Sequence, residues 1–237
     1  KLKGLRAQYE LEGVHMPVEF VTGRVKPLAS IYDKTLEKGI PFKPSAELAE
    51  ELPDIAGVRI MCQFVDDIGK VVHTLRQRTD MQVVEERDYI SHKKPSGYRS
   101  FHMIIEYPVQ TIHGEKTILA EIQIRTLAMN FWATVEHSLN YKYKHAIPID
   151  IKGKLKNAAD AAFNLDTEML AIKDEIKDAQ KLFEVKSSLV SNIVENILTI
   201  SSLGKIGEAS RFTEELNKLL EVGDVFELTS LLEETKK

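Results

Sequence analysis

From Leu155 to Phe183 an apolar residue recurs at alternating intervals of three and four. The series is Leu155, Ala158, Ala162, Leu165, Met169, Ile172, Ile176, Ala179 and Phe183, and it never slips. Only an α-helix gathers such positions into one stripe, so a long helix is dictated here. The charges of "IKDEIKDAQK" fall on its outer side. An a/d stripe of this kind either lies along its own domain or pairs with a helix of another subunit. Residues 187–237 continue as shorter helices separated near Gly204, Gly207 and Gly223.

Ahead of that helix the period changes. "GVRIMCQF", "MQVVEERDYI", "SFHMIIEYPV" and "TILAEIQIRT" are β-rich and largely alternating, which predicts strands within residues 54–128. "DIGKVVHTLRQR" has the spacing of an amphipathic helix, and "KKPSGYRS" is a loop by its Pro, Ser and Gly. Residues 1–52 read as helical, with a turn at Met16–Pro17 and a second helix closing at Gly39. The predicted class is α+β, a mixed sheet flanked by helices with a long helical C-terminal part. At 237 residues and 43% apolar content, the chain can bury a real core.

The net charge of −4 argues against a generally cationic nucleic-acid binder, but the charge is unevenly spread. Residues 1–164 hold 23 Lys/Arg against 21 Asp/Glu, and 165–237 hold 9 against 15, so anion chemistry belongs in front. One cysteine, Cys62 in an apolar run, excludes an internal disulfide and a cysteine zinc site. No run is long enough to span a membrane and the opening "KLKGLRAQYE" lacks a signal-type apolar stretch; a cytoplasmic protein is expected.

GxxxxGK[ST], GxGxxG, HExxH, CxxC and GxSxG are all absent. What remains is dispersed. Asp54 precedes a strand in which Arg59 is the polar member, and Glu121 sits on the polar side of "EIQIRT" with Gln123 and Arg125. Carboxylates on neighbouring strands can share one Mg²⁺, which takes few protein oxygens. Asp54 as a turn cap and Arg59 as an edge residue are the plainer uses. "GRVKPLASIYDK" sets Ser30 and Lys34 one turn apart if a helix starts near Pro27, behind Arg24 and Lys26. "HKKPSGYRSFH" combines lysines, an exposed aromatic after Gly97, and His102. Lysines for phosphates beside a tyrosine for stacking suit a nucleotide.

"EFVTGRVKPLASI", "DIAGVRIMCQFVDDI", "RDYI…SGYRSFH" and "EIQIRTLAMNFWATVEHSLNYKYK" resemble the alarmone synthetase domain of the RelA/SpoT homologue family, and most closely its small, single-domain Q-type members. The resemblance runs in unbroken order from about residue 1 to 185. It implies a nucleotidyltransferase-like fold, with residues 1–150 as catalytic domain and 151–237 as helical extension. It also implies pyrophosphate transfer from ATP to the 3′-hydroxyl of GDP or GTP, yielding guanosine tetra- or pentaphosphate. By that resemblance Arg24 and Arg59 sandwich adenine, while Lys26, Ser30 and Lys34 bind the ATP phosphates. Asp54 and Glu121 hold Mg²⁺. Tyr98 stacks on guanine with Asn130 at its edge, and Lys94, His102 and Gln123 orient the acceptor. Asp54, Glu121, Lys26 and His102 are the catalytic set, and Arg125 is left a structural part.

The same resemblance implies a homotetramer with a guanosine pentaphosphate cleft between subunits. "EFVTG" matches the cleft motif, which implicates Phe20, Thr22 and Gly23, with Lys3 as phosphate partner. Phe20 as a core residue and Lys3 as a surface charge are the alternatives. The rival function is a non-catalytic nucleotide or single-stranded RNA binder on the same scaffold. "GIPFKPSAELAEELP" matches the family pattern poorly.

Overall fold

In the computed structural model, residues 2–12, 15–43, 45–143, 148–222 and 224–236 are described. The order of elements is α1 (Lys3–Glu12), β1 (Phe20–Val25), α2 (Leu28–Lys38), α3 (Ala46–Glu51), β2 (Ala56–Cys62), α4 (Val65–Arg76), β3 (Gln82–Asp88), β4 (Phe101–Thr111), β5 (Gly114–Thr126), α5 (Leu127–Lys142), α6 (Ile149–Ser202), α7 (Ile206–Val222) and α8 (Val225–Glu234). Contacts divide the chain into two compact units, Lys1–Leu170 and Ala171–Lys237. Among the described residues no helix is long and apolar enough to cross a membrane.

The first unit holds a five-stranded sheet in the order β1-β2-β5-β4-β3, with β2 and β5 parallel and the other pairs antiparallel. The expected mixed sheet with flanking helices is what forms. Its core lies on one face, where Ile68, Val71, Val72 and Leu75 of α4 meet Ile60, Cys62, Met103, Ile105, Ile122 and Ile124. Each such side chain contributes about 1.5–3 kcal/mol by leaving water. Cys62 is fully buried, and burial, helped by Asp67 and Asp66, pushes its thiol up to about 12. It is a packing residue.

The reading of residues 1–52 as wholly helical missed β1. Its six residues are mostly exposed and lack a periodic apolar signature. As an edge strand it is held by its ladder to β2, a long-range pairing that leaves no local trace. The second helix starts at Leu28 behind Pro27 and ends at Gly39, whose φ of 66° supplies the left-handed cap. The segment "GIPFKPSAELAEELP" carries α3, capped by the Ser45 hydroxyl accepting from the Leu48 amide.

α6 runs unbroken from Ile149 to Ser202. Within the first unit its packed residues are Ala162, which is on the predicted stripe, and Ala159 and Asp166, each one position off it. Leu165, Met169, Ile172, Ile176 and Phe183 are exposed. In the second unit Ile193 and Ile197 pack with Phe212 and Leu216 of α7 and Leu228, Leu231 and Leu232 of α8. The break falls at Gly204, with φ 84°, whereas Gly207 lies inside α7. Gly223 lies outside the described residues.

Candidate active site

Side chains alternate across a sheet, so the face opposite α4 is defined by register. One cross-strand row reads Arg24, Gly57, Glu121 and Ile104, and the next Thr22, Arg59, Gln123 and His102. The acid, amide and cation of "EIQIRT" thus share the face that turns away from the apolar core. Gly57 leaves a gap between Arg24 and Glu121; a Cβ there would lie 3.4 Å from Arg24 Cγ.

Five side chains on this face close a ring of hydrogen bonds. Arg125 Nη2 donates to the Tyr98 hydroxyl at 2.6 Å and to Gln123 Oε1 at 2.7 Å. Tyr98 Oη lies 2.7 Å from His102 Nε2, and His102 Nδ1 lies 2.8 Å from Glu121 Oε1. Gln123 Nε2 completes the circuit by donating to Glu121 Oε2 at 2.7 Å. Burial alone would raise the Glu121 carboxyl, but His102 and Gln123 outweigh it and hold it below its ordinary value. Burial raises the Tyr98 phenol.

Asp54 forms the second cluster. Its Oδ2 accepts from Lys26 Nζ at 2.5 Å and Lys34 Nζ at 2.7 Å, while Oδ1 is buried with no hydrogen-bond partner. Burial would raise this carboxyl too; the two lysines win and the net shift is downward. Burial brings the Lys26 ammonium down, against the pull of Asp54. Ser30 sits one turn before Lys34 on α2. Glu121 feels the charge of Asp54, and Arg59 is lowered by burial and then by Arg125 and Arg24. Two anionic groups therefore sit within a field of guanidiniums and ammoniums.

The loop before β4 is braced from α6. Gly97 has φ 89°, and a Cβ there would come within 2.4 Å of Ala159 Cβ. Next to it, Arg99 donates to Asp166 at 2.6 Å in a pair whose side chains are 5% and 4% exposed. Tyr98, expected to be exposed, is half-buried among His102, Tyr89 and Trp132. Lys94 Nζ stands 4.5 Å from the Tyr89 ring centre and 5.4 Å from that of Tyr98.

Asn130, in the first turn of α5, has a buried Oδ1 without a partner. Lys3, Phe20, Thr22 and Gly23 do not form one pocket within the chain. Lys3 and Gly23 line an apolar cavity of about 610 Å³ beside Val21, Val58 and Ile122, while Phe20 and Thr22 face the other side of β1. Sequence reasoning passed over His137 of α5, lowered by burial and by the Arg24 charge, and the Arg99–Asp166 pair, whose members are 67 positions apart. A histidine two turns after Asn130 on α5 was the available hint; the ion pair offered none.

Comparison with known proteins points to one family. The region found in RelA / SpoT proteins matches residues 23–146. GTP pyrophosphokinase YjbM of Bacillus subtilis (strain 168) is 56% identical over 186 residues, covering 78% of this chain and 86% of that one. YwaC of the same organism, also a GTP pyrophosphokinase, is 44% identical over 176 residues, covering 74% and 83%. The crystal structure of the small alarmone synthetase 1 from Bacillus subtilis bound to its product pppGpp aligns with a TM-score of 0.70 at 57% identity, over 74% of this chain and 89% of that one. Pyrophosphokinases of this kind generally use a divalent metal. Because the matched stretch runs from Gly23 in β1 through α5 and takes in both clusters of the polar face, the chain belongs to the RelA/SpoT family.

Proposed function

We infer that this chain is a GTP pyrophosphokinase that makes the alarmones guanosine tetra- and pentaphosphate by moving pyrophosphate from ATP to the 3′-hydroxyl of GDP or GTP. The observation that carries this is a pair of carboxylates close enough for one to feel the other's charge, Asp54 in the turn before β2 gripped by two lysines and Glu121 on the sheet face gripped by His102 and Gln123. Arg24 and Arg59 are diagonal neighbours on that face, a spacing of about 7–8 Å that admits a flat ring between guanidiniums. Lys26, Ser30 and Lys34 follow as the ATP phosphate grip. Tyr98, Lys94, His102, Gln123 and Asn130 serve the guanosine acceptor.

Mg²⁺ fits this donor set. Asp54 Oδ1 is buried and unpartnered, and no group of three or more His, Cys, Asp or Glu among the described residues could hold a metal unaided. That suits an ion held by one or two carboxylates that keeps its other positions for water and phosphate. Bound by Asp54 and Glu121, it supplies charge neutralisation to the transferring phosphoryl oxygens. The acceptor 3′-oxygen bonds to the β-phosphorus of ATP, the bond from that phosphorus to the α-phosphate oxygen breaks, and AMP departs. Glu121 takes the hydroxyl proton. Its carboxyl is held below the ordinary value, which makes it a weak base and favours the ligand role. A loose phosphoryl transition state asks little of a base.

Incubation of the protein with ATP, GDP and Mg²⁺, followed by chromatography, tests the reading. Tetraphosphate with AMP is expected. Release of inorganic pyrophosphate would mean nucleotidyl transfer, and binding without product would leave the non-catalytic binder of nucleotide or single-stranded RNA. We further propose a cytoplasmic homotetramer, with residues 1–150 catalytic and 151–237 an extension. The exposed Leu165, Met169, Ile172, Ile176 and Phe183 support self-association through α6. Phe20, 41% exposed on an edge strand, and the exposed Thr22 support a regulatory pentaphosphate cleft completed by another subunit with Lys3 and Gly23.

A further inference from the structure

We propose that Arg125 is a positioning residue for the guanosine acceptor, acting through Tyr98 and Gln123 without touching the nucleotide. Arg125 is 4% exposed, and no ion pair joins it to a carboxylate among the described residues. A buried cation without a directly paired carboxylate is costly to hold, so a purely structural post at this position would be better filled by a neutral residue. What the guanidinium has instead is three acceptors: the Tyr98 hydroxyl, Gln123 Oε1, and Ser100 Oγ at 3.1 Å. It also lies 5.2 Å from the Tyr98 ring centre.

Arg125 and Glu121 set the bond directions from opposite ends of the ring, the guanidinium as donor only and the carboxylate as acceptor only. Tyr98 Oη therefore accepts from Arg125 and turns its hydrogen to His102 Nε2. With Nε2 an acceptor, the imidazole hydrogen sits on Nδ1 and points at Glu121 Oε1. Along the other arm, Arg125 claims the Gln123 carbonyl, which leaves the amide nitrogen for Glu121 Oε2. Both arms start at one nitrogen and end on one carboxylate. Without Arg125 the phenol can point elsewhere and Gln123 Oε1 keeps only the longer bond from Arg59 Nε at 3.3 Å, so the acceptor would meet a looser set of arrangements in place of one.

This rests on the acceptor roles proposed above for Tyr98, His102 and Gln123, and the tests separate the two ideas. Nitrogen NMR of histidine-labelled protein, free of nucleotide and metal, should show the His102 hydrogen on Nδ1 in the wild type and a displaced His102 signal in Arg125→Met; a wild-type hydrogen on Nε2 alone, or identical signals in both proteins, overturns the proposal whether or not the protein makes alarmone. In kinetics, Arg125→Met should raise the KM for GDP by about tenfold and leave the KM for ATP within about twofold, with Arg125→Lys in between. Equal rises for both substrates would mark general loosening and refute it. In a Tyr98→Phe, Gln123→Ala background, adding Arg125→Met should change the guanosine KM by less than about twofold, because the partners it acts through are gone. A further full-sized loss there would also refute it. Should Arg125→Met not fold, the Arg125→Lys kinetics and the wild-type tautomer decide. If the wild type makes no product, the pyrophosphokinase reading fails, while the tautomer still judges this one.

Discussion

Gly97→Ala probes how the guanosine loop is held. The native φ of 89° is a left-handed conformation that costs a Cβ-bearing residue about 1–2 kcal/mol. The new methyl would also start 2.4 Å from Ala159 Cβ, far inside contact distance, and relieving that overlap adds about 1–3 kcal/mol. The sum is a loss of about 2–5 kcal/mol if the loop keeps its place. Should the loop shift instead, stability is spared and Lys94 and Tyr98 move off the site. Urea unfolding and the KM for GDP, measured on one preparation, capture both routes. Adding Ala159→Gly should return the steric part but not the backbone part, at a helix cost of about 1 kcal/mol. A Gly97→Ala protein unchanged in both stability and guanosine KM would refute the close approach of this loop to α6.

Asp54→Asn should lower kcat at least about a hundredfold, and a near-native rate at saturating Mg²⁺ would remove Asp54 from the metal site. Asp166→Ala strands a buried Arg99 and should cost about 3–5 kcal/mol in chemical unfolding, with a weakened guanosine KM. Gly57→Ala meets only ordinary contacts, so stability should hold or rise by about 0.5–1 kcal/mol, yet the KM for ATP should climb as the gap beside Arg24 fills. Asp54 and Glu121 have folded-state values held below the ordinary carboxylate range, so their stabilisation is full above about pH 4–5 and is lost as pH falls through the depressed values. Unfolding free energy should stay level from pH 7 to pH 5.5 in the wild type as far as these two groups are concerned; the Asp54→Asn protein should lose less than the wild type below pH 4.

The strands that one periodic face marks out were readable, and so was α6, because burial on a single side writes itself into local spacing. β1 was not, since most of its residues are exposed and its partner strand lies more than thirty residues on. The sequence row of Glu121, Gln123 and Arg125 showed that three polar groups share a face, but not that the third organises the other two. Bond direction depends on Tyr98 and His102, which arrive from another strand and its preceding loop. Asp166 illustrates the limit: on a helix rich in carboxylates, nothing local sets apart the one that is buried against Arg99.

Lys26 and Lys34 spend their charge on Asp54. Cells are full of stray phosphate, and a naked pair of ammoniums would collect it. Here a lone phosphate must first outcompete a carboxylate at hydrogen-bond range, whereas a nucleotide arriving with its own counter-ion offers Asp54 a substitute and frees the lysines in the same exchange. On the ATP grip proposed above, the two lysines are thereby reserved for a ligand that brings an anion and a cation together.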